Sequence, residues 1–282
     1  MVQVTPTRRR ADGGPSARAL LISVLGQWVG PRDTPVWNST LVGALEALGI
    51  EERAARQAVN RTASDGWLEG ESVGRYTRWR LTESGRRMIR SAMPRVQRSI
   101  LAQPTWDGTF LLLAITGVSP DRRIRDRLAV GLDFEGFGAL GPNLWVAIGS
   151  DARAGAQAVL EGCGLSDQVL LFNATTVEGV NEPADVVALA WDLETAAGAH
   201  QAFLDEFDGV EPGDDREAFA LRTRMAHEWR HLLSVDPSLP AELLPADWAG
   251  TRARAAFQRS FSLWATPAIS YYTMLVSEPT VS

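Results

Sequence analysis

Between Glu51 and Asp65 the chain carries Arg53, Arg56, Gln57, Asn60 and Arg61. These are donors of the kinds that read base edges: a guanidinium pairs bidentately with guanine and a side-chain amide with adenine, each contributing about 1–3 kcal/mol of discrimination in a major groove. Shortly afterwards Arg75, Arg78 and Arg80 offer planar cations suited to phosphates or a minor groove. The same polar residues would equally serve as the solvated face of an ordinary helix, so the elements around them must decide. A different chemistry is spelled near the other end, where His227, Glu228 and His231 form HExxH, the spacing that aims two imidazoles at one zinc. A zinc hydrolase also needs a third ligand and an open water position, and the extended motif would place a histidine where Pro237 stands. Asp236, Glu242 and Asp247 are near in sequence but belong to no second motif. With His200 the only other imidazole, the residues read as packing groups, and a zinc hydrolase is the alternative function.

The elements that would position the arginines follow from periodicity. Leu20, Leu21, Val24, Leu25 and Trp28 fall at helical spacing, which predicts an amphipathic helix from about Ser16 to Val29. Val36 and Trp37 make a short extended piece, followed by a cap at Asn38 or Ser39 and a helix through Leu41, Leu45 and Leu48 that stops at Gly49. After that tight turn a third helix runs from Glu51 to Asp65 and Gly66, burying Ile50, Ala54, Ala58, Val59 and Thr62 and turning its arginines outward. Two helices joined so closely predict a helix-turn-helix. Trp67 and Leu68 begin a strand, Gly70 to Gly74 a turn, and Tyr76 to Leu81 a returning strand with Trp79 inward and Arg78 and Arg80 outward, which reads as a wing. Thr82 caps a further helix, and a linker is expected around Pro94 and Pro104.

Charge supports this placement. The whole chain is acidic, with a net charge of -6, yet residues 1 to 98 hold 16 arginines against nine acids, which concentrates positive potential at one end. All 28 basic residues are arginine. The single cysteine, Cys163, permits no internal disulfide and no thiolate metal cluster. The apolar stretch after Arg8, Arg9 and Arg10 lacks a cleavage site, and no run approaches a membrane span, so a cytoplasmic protein is expected.

From Thr109 to Thr176 the order is strand, charged helix, extended piece, strand, alanine-rich helix and strand, which predicts a ferredoxin-like βαββαβ domain. A small nuclease family of that outline places an aspartate at the end of its first strand. Here that strand ends in Ile115, Thr116 and Gly117, with Asp107 before it and Asp121 after it, so the domain reads as a spacer or dimerisation element. Neither Gly-x-Ser-x-Gly nor a phosphate-cradling glycine loop is present. Beyond Pro183 the pattern is helical, near Asp185 to Phe207, Asp214 to Ser234 and Thr251 to Leu263. Its aromatic residues, Trp191, Phe203, Phe207, Trp229, Trp248, Phe257 and Trp264, read as core.

The segment ERAARQAVNRTASDGWLEGE together with YTRWRLTESGRR resembles the first region of the PaaX family, repressors of phenylacetate catabolism. GFGALGPNLWV, WDLETAAGAHQAFLDEF and HEWRHLLSVDPSLPAELLPADWAG are similar to that family's later segments in the same order, so the resemblance covers about Ala17 to Phe261. It implies a homodimeric repressor on a palindromic operator, released by a small-molecule effector that is an acyl- or aryl-CoA thioester in the founding example. It also places Arg53, Arg56, Asn60 and Arg61 on the family's recognition helix. Arg222, Arg224 and Arg230 would suit the pyrophosphate of such a thioester.

The expected protein is therefore a non-enzymatic α+β regulator. It has a disordered basic tail (1–16), a winged helix-turn-helix (17–100), a ferredoxin-like domain (104–178) and an all-α C-terminal domain (183–282). Its partners are double-stranded DNA, an effector and a second copy of itself. No cofactor, metal or catalytic residue is expected, and the effector pocket is not assigned.

Overall fold

The computed structural model describes residues 14–101, 105–116, 121–149 and 152–277. The basic tail with Arg8 to Arg10, and the position of Pro104, lie outside them. The chain divides into two compact units. One holds residues 101–202 and 232–251; the other holds the N-terminal part up to Ile100 together with residues 203–231 and 252–282. The units thus cut across the consecutive segments read from sequence, because helices of the last third contribute to both.

In the second of these units, α1 (Ala17–Val24) is capped by Ser16, whose side chain accepts from the Ala19 amide at 3.2 Å, and it runs into a wider π-type turn, Leu25–Val29. β1 (Val36–Trp37) leads to α2 (Asn38–Ala47), then α3 (Glu52–Ser64), β2 (Leu68–Val73), β3 (Tyr76–Leu81) and α4 (Glu83–Leu101). The strands form an antiparallel sheet in the order β1-β3-β2. Glycines close both α2 and α3. Gly49 (φ 75°) lets the Gly49 and Ile50 amides donate back to Glu46 and Leu45 carbonyls, and Gly66 (φ 75°) does the same toward Ala63 and Thr62; this left-handed close satisfies carbonyls that a helix end would otherwise strand.

Three expectations change here. The cap on α2 is not Asn38 or Ser39: Asn38 is the first helical residue, and its Oδ1 accepts from Trp79 Nε1 at 3.1 Å. β2 continues through Gly70 to Val73, with only Gly74 and Arg75 between the paired residues Val73 and Tyr76; Gly74 takes φ 60°, the positive value a two-residue turn needs. Gly70 is kept in the strand by Trp79, whose ring would lie 2.9 Å from any added Cβ. The stretch around Pro94 is helical, inside α4.

The other unit contains β4 (Phe110–Ile115), α5 (Arg122–Phe134), β5 (Gly138–Gly141), β6 (Leu144–Ile148), α6 (Ala152–Cys163) and β7 (Val169–Ala174). The antiparallel sheet has the order β5-β6-β4-β7. Alternation along β4 sends Leu111, Leu113 and Ile115 to a core with Leu128, Leu132, Ala156 and Leu160 of the two helices, while Phe110 faces Val146, Val187 and Leu239 on the opposite side. Cys163 is buried in the first of these cores.

The last third forms α7 (Pro183–Ala190), α8 (Leu193–Phe207), α9 (Asp215–Leu232), α10 (Ala249–Leu263) and α11 (Ala265–Val276). The single helix expected over Asp185 to Phe207 is broken at Trp191, which is extended (φ -132°, ψ 142°). The helix after Leu263 was not expected at all. Pro267 reads as a breaker, yet it stands in the first turn, where the missing N–H would have no intrahelical acceptor anyway. Among the described residues no helix is long and apolar enough to cross a membrane.

Candidate nucleic-acid interface

The amphipathic pattern of α3 places its two faces cleanly. Ala55, Ala58, Val59 and Thr62 are buried, while Arg53, Arg56, Gln57, Asn60 and Arg61 are all exposed. Ile50, Ala58, Val59 and Thr62 are buried as expected; the one departure is that Ala55 is sealed and Ala54 only half-buried. An ion pair between Arg18 of α1 and Asp65 closes the far end of α3, and the Arg18 guanidinium lies over the Trp67 ring at 5.2 Å. The exposed row is thereby presented on a helix tied at its C-terminal end to α1.

Sequence reading missed the acids that sit with these cations. Arg56 donates from Nε and Nη2 to Glu52 Oε1 at 2.8 and 2.6 Å, one turn back on the same helix. Both side chains are more than half exposed, so the pair contributes only about 0.3–0.5 kcal/mol and exchanges easily for a better anion. On the hairpin, the register sets Glu71 opposite Arg78 and Glu69 opposite Arg80. Arg78 donates to Glu71 at 2.8 Å and covers Trp37 at 5.6 Å; that hydrogen bond, reinforced by the Arg78 charge, holds the Glu71 carboxyl below its ordinary range. Arg75 stacks on Tyr76 at 5.1 Å and donates to its hydroxyl at 2.9 Å. The hairpin is consequently less positive than its arginines alone imply, and the net positive field rests more on α3, where Arg53 and Arg61 enter no ion pair among the described residues. The signal was available: strands of known turn length fix which acid faces which arginine.

The HExxH residues are arranged for a different purpose. His227 is buried and His231 exposed. Nδ1 of His227 lies 3.0 Å from Ser23 Oγ of α1, and Arg230 donates to the same oxygen. Ser23 itself donates to the Ala19 carbonyl at 3.1 Å, so its oxygen links α1 to both the Arg230 guanidinium and the His227 ring. Burial, with Arg230 and His231 adding like charge, pushes the His227 pKa down to about 4. A guanidinium against the ring opposes a divalent cation rather than attracting one, so the hydrolase alternative gains nothing from the geometry. In the sheet unit, Asp107 accepts from the amide and hydroxyl of Thr109 at 2.9 and 2.6 Å, and Asp121 accepts from the Ile124 amide at 2.9 Å as the cap of α5. Both carboxylates are engaged in local turns.

Of the aromatic residues in the last third, Phe203 packs on Phe207, Trp229 and Phe257 with ring centroids 4.9, 5.4 and 6.5 Å away, and Trp264 is sealed. They are core groups.

Comparison with known proteins is consistent along the whole chain. Family models match in three consecutive blocks: PaaX-like protein over residues 16–85, the PaaX protein central Cas2-like domain over 103–187, and the PaaX-like protein C-terminal domain over 191–273. The curated protein Transcriptional repressor PaaX of Escherichia coli (strain K12) is 32% identical over 249 residues, which is 85% of this chain and 77% of that one. Among solved structures, the uncharacterized protein Rv0674 from Mycobacterium tuberculosis has the same fold, with a TM-score of 0.62 and 25% identity over 90% of this chain and 98% of that one. A mixed α/β chain with two antiparallel sheets, a Cas2-like central domain and a helical C-terminus, it belongs to the PaaX family.

Proposed function

We propose that this protein is a DNA-binding transcriptional repressor of a catabolic operon. In this reading residues 17–100 act as a winged helix-turn-helix: α3 enters a major groove, Arg53, Arg56, Gln57, Asn60 and Arg61 meet base edges and flanking phosphates, and the β2–β3 hairpin is the wing whose Arg75, Arg78 and Arg80 grip the backbone. The βαββαβ unit is a ferredoxin-like spacer or dimerisation element. Two copies bind a palindromic operator, and a small-molecule effector of the acyl- or aryl-CoA thioester class releases them. The protein works in the cytoplasm, without catalytic residues of its own.

The observation that carries the reading is the outward row on α3. All five donors stand on the solvated side of one helix, in the part of the chain where arginine outnumbers acid. The relative's name adds the repressor role. The test is electrophoretic retardation of the DNA upstream of the gene. Salt-sensitive retardation that Arg53→Ala with Arg61→Ala abolishes supports the reading; absence of any shift at low salt refutes it.

A further inference from the structure

A strand at the rim of a sheet leaves a row of backbone N–H and C=O groups ready to join another strand, so folded chains shorten, charge, bend or cover such strands. Among the described residues, three of the four rims of the two sheets are treated in this way. β1 is only two residues long. β2 carries Glu69 and Glu71, both exposed. β5 has four residues and shifts register between Ala139 and Gly141. It is also covered at Gly138, where an added Cβ would lie 2.5 Å from the Ala190 carbonyl oxygen and 2.7 Å from the Trp191 ring.

β7 is the exception. Among the described strands it pairs with β4 alone, along the six residues Val169–Ala174, a run with no charge and no proline. Val169 and Leu171 pack against the core that α5 and α6 cover, so alternation sends Leu170 and Phe172 to the other face, in register with Ala114 and Leu112 of β4. There they are 49% and 50% exposed, more than any other large apolar side chain on a strand among the described residues. An open rim carrying two half-bare side chains of this size invites indiscriminate pairing unless a specific partner occupies it.

We propose that the rim of β7 is occupied by β7 of a second copy of this chain, which joins the two four-stranded sheets into one continuous antiparallel sheet across a twofold axis. The residue types suit this occupant. In an antiparallel pair centred on Leu171, Leu170 stands opposite the partner's Phe172 and Val169 opposite the partner's Asn173, so apolar side chains meet on one face and no like charges confront each other. The same operation on β2 would set Glu69 against the partner's Glu71, and the two would repel. Half-buried Leu112 and Ala114 of β4 extend the face that is covered. The assignment names the surface for the dimerisation role proposed above and rests on that reading.

The test uses the full chain. Sedimentation equilibrium is expected to show reversible dimerisation of the wild type. Phe172→Lys and Leu170→Lys, each placing an unpaired charge in the seam, are expected to raise its dissociation constant about a hundredfold or more. Val130→Lys, at a 66% exposed position of α5, leaves the constant unchanged. If the lysine variants do not fold, hydrogen exchange of the wild type decides, because the β7 amides that β4 does not hold should exchange more slowly as rising protein concentration drives pairing. A wild type that stays monomeric at every concentration, a dimer indifferent to both β7 substitutions, or β7 amides whose exchange ignores concentration overturns the proposal. Retardation of upstream DNA tests the repressor reading separately. A monomeric wild type that retards DNA sinks the interface and spares that reading, whereas a dimer broken by Phe172→Lys that retards no DNA does the reverse.

Discussion

Ser23 Oγ of α1 and His227 Nδ1 of α9, 204 residues apart in the chain, lie 3.0 Å from each other in a buried setting. The contact belongs to a seam. Trp28 Nε1 donates to Thr223 Oγ1 at 3.0 Å, and the Thr40 hydroxyl of α2 donates to the Leu275 carbonyl of α11 at 2.6 Å. The helices that carry the arginine row are thus braced by residues from the far end of the chain, and stability of the first hundred residues should depend on the last eighty.

Ser23→Ala is expected to destabilise the protein by about 1–3 kcal/mol, because it leaves the His227 ring and the Arg230 guanidinium without the oxygen they share. Denaturant titration of the variant against the wild type measures it. An unchanged midpoint would show that water replaces the hydroxyl at no cost.

Acid should loosen the same seam. His227 is depressed from 6.5 to about 4, so as pH falls the unfolded chain takes up the proton first. The contribution is complete above about pH 7, is lost as pH drops from about 6.5 to about 4, and levels off below that. His227→Gln cannot titrate, so its stability should vary less with pH across this window. Parallel profiles for the two proteins would contradict the assignment.

Gly85 on α4 is buried against the Trp67 carbonyl, which also accepts the Thr82 amide at 3.1 Å. A Cβ there collides with backbone, which cannot swing aside as a side chain would. Gly85→Ala is expected to cost about 1–3 kcal/mol, read by thermal unfolding; a neutral result would mean α4 can slide relative to the hairpin.

Arg56→Ala is expected to weaken binding to the upstream DNA and flatten its base preference. Arg78→Ala is expected to weaken all duplexes about equally and to reduce the salt slope by about one. Competition with scrambled duplex over a salt series separates the two effects, and equal loss of base preference in both variants would contradict the division of roles between helix and hairpin.

Much of this was legible in the residues. Gly49 and Gly66 mark the ends of α2 and α3 because a left-handed close needs glycine, and the alternation from Tyr76 to Leu81 marks β3. The order of strands and helices from Phe110 to Ala174 followed from period and length alone. What the sequence could not show was pairing between distant segments. Glu71 opposite Arg78 needed the strand register, Asn38 serving Trp79 needed the sheet, and Ser23 meeting His227 needed the tertiary packing. α11 was hidden by Pro267 and by the aromatic and β-branched residues Ile269, Tyr271, Tyr272 and Thr273, whose helical state is stabilised by packing, through Tyr272 stacked on Trp28, rather than by propensity.

The central claim is that the guanidiniums of α3 meet a DNA duplex. Its most direct measurement is the dissociation constant for the upstream DNA, taken at several salt concentrations, for the wild type and for the Arg53→Ala, Arg61→Ala double variant. The account predicts binding by the wild type that weakens linearly in log salt, with an affinity loss of about tenfold or more and a shallower slope in the variant. Equal affinities and equal slopes would contradict it.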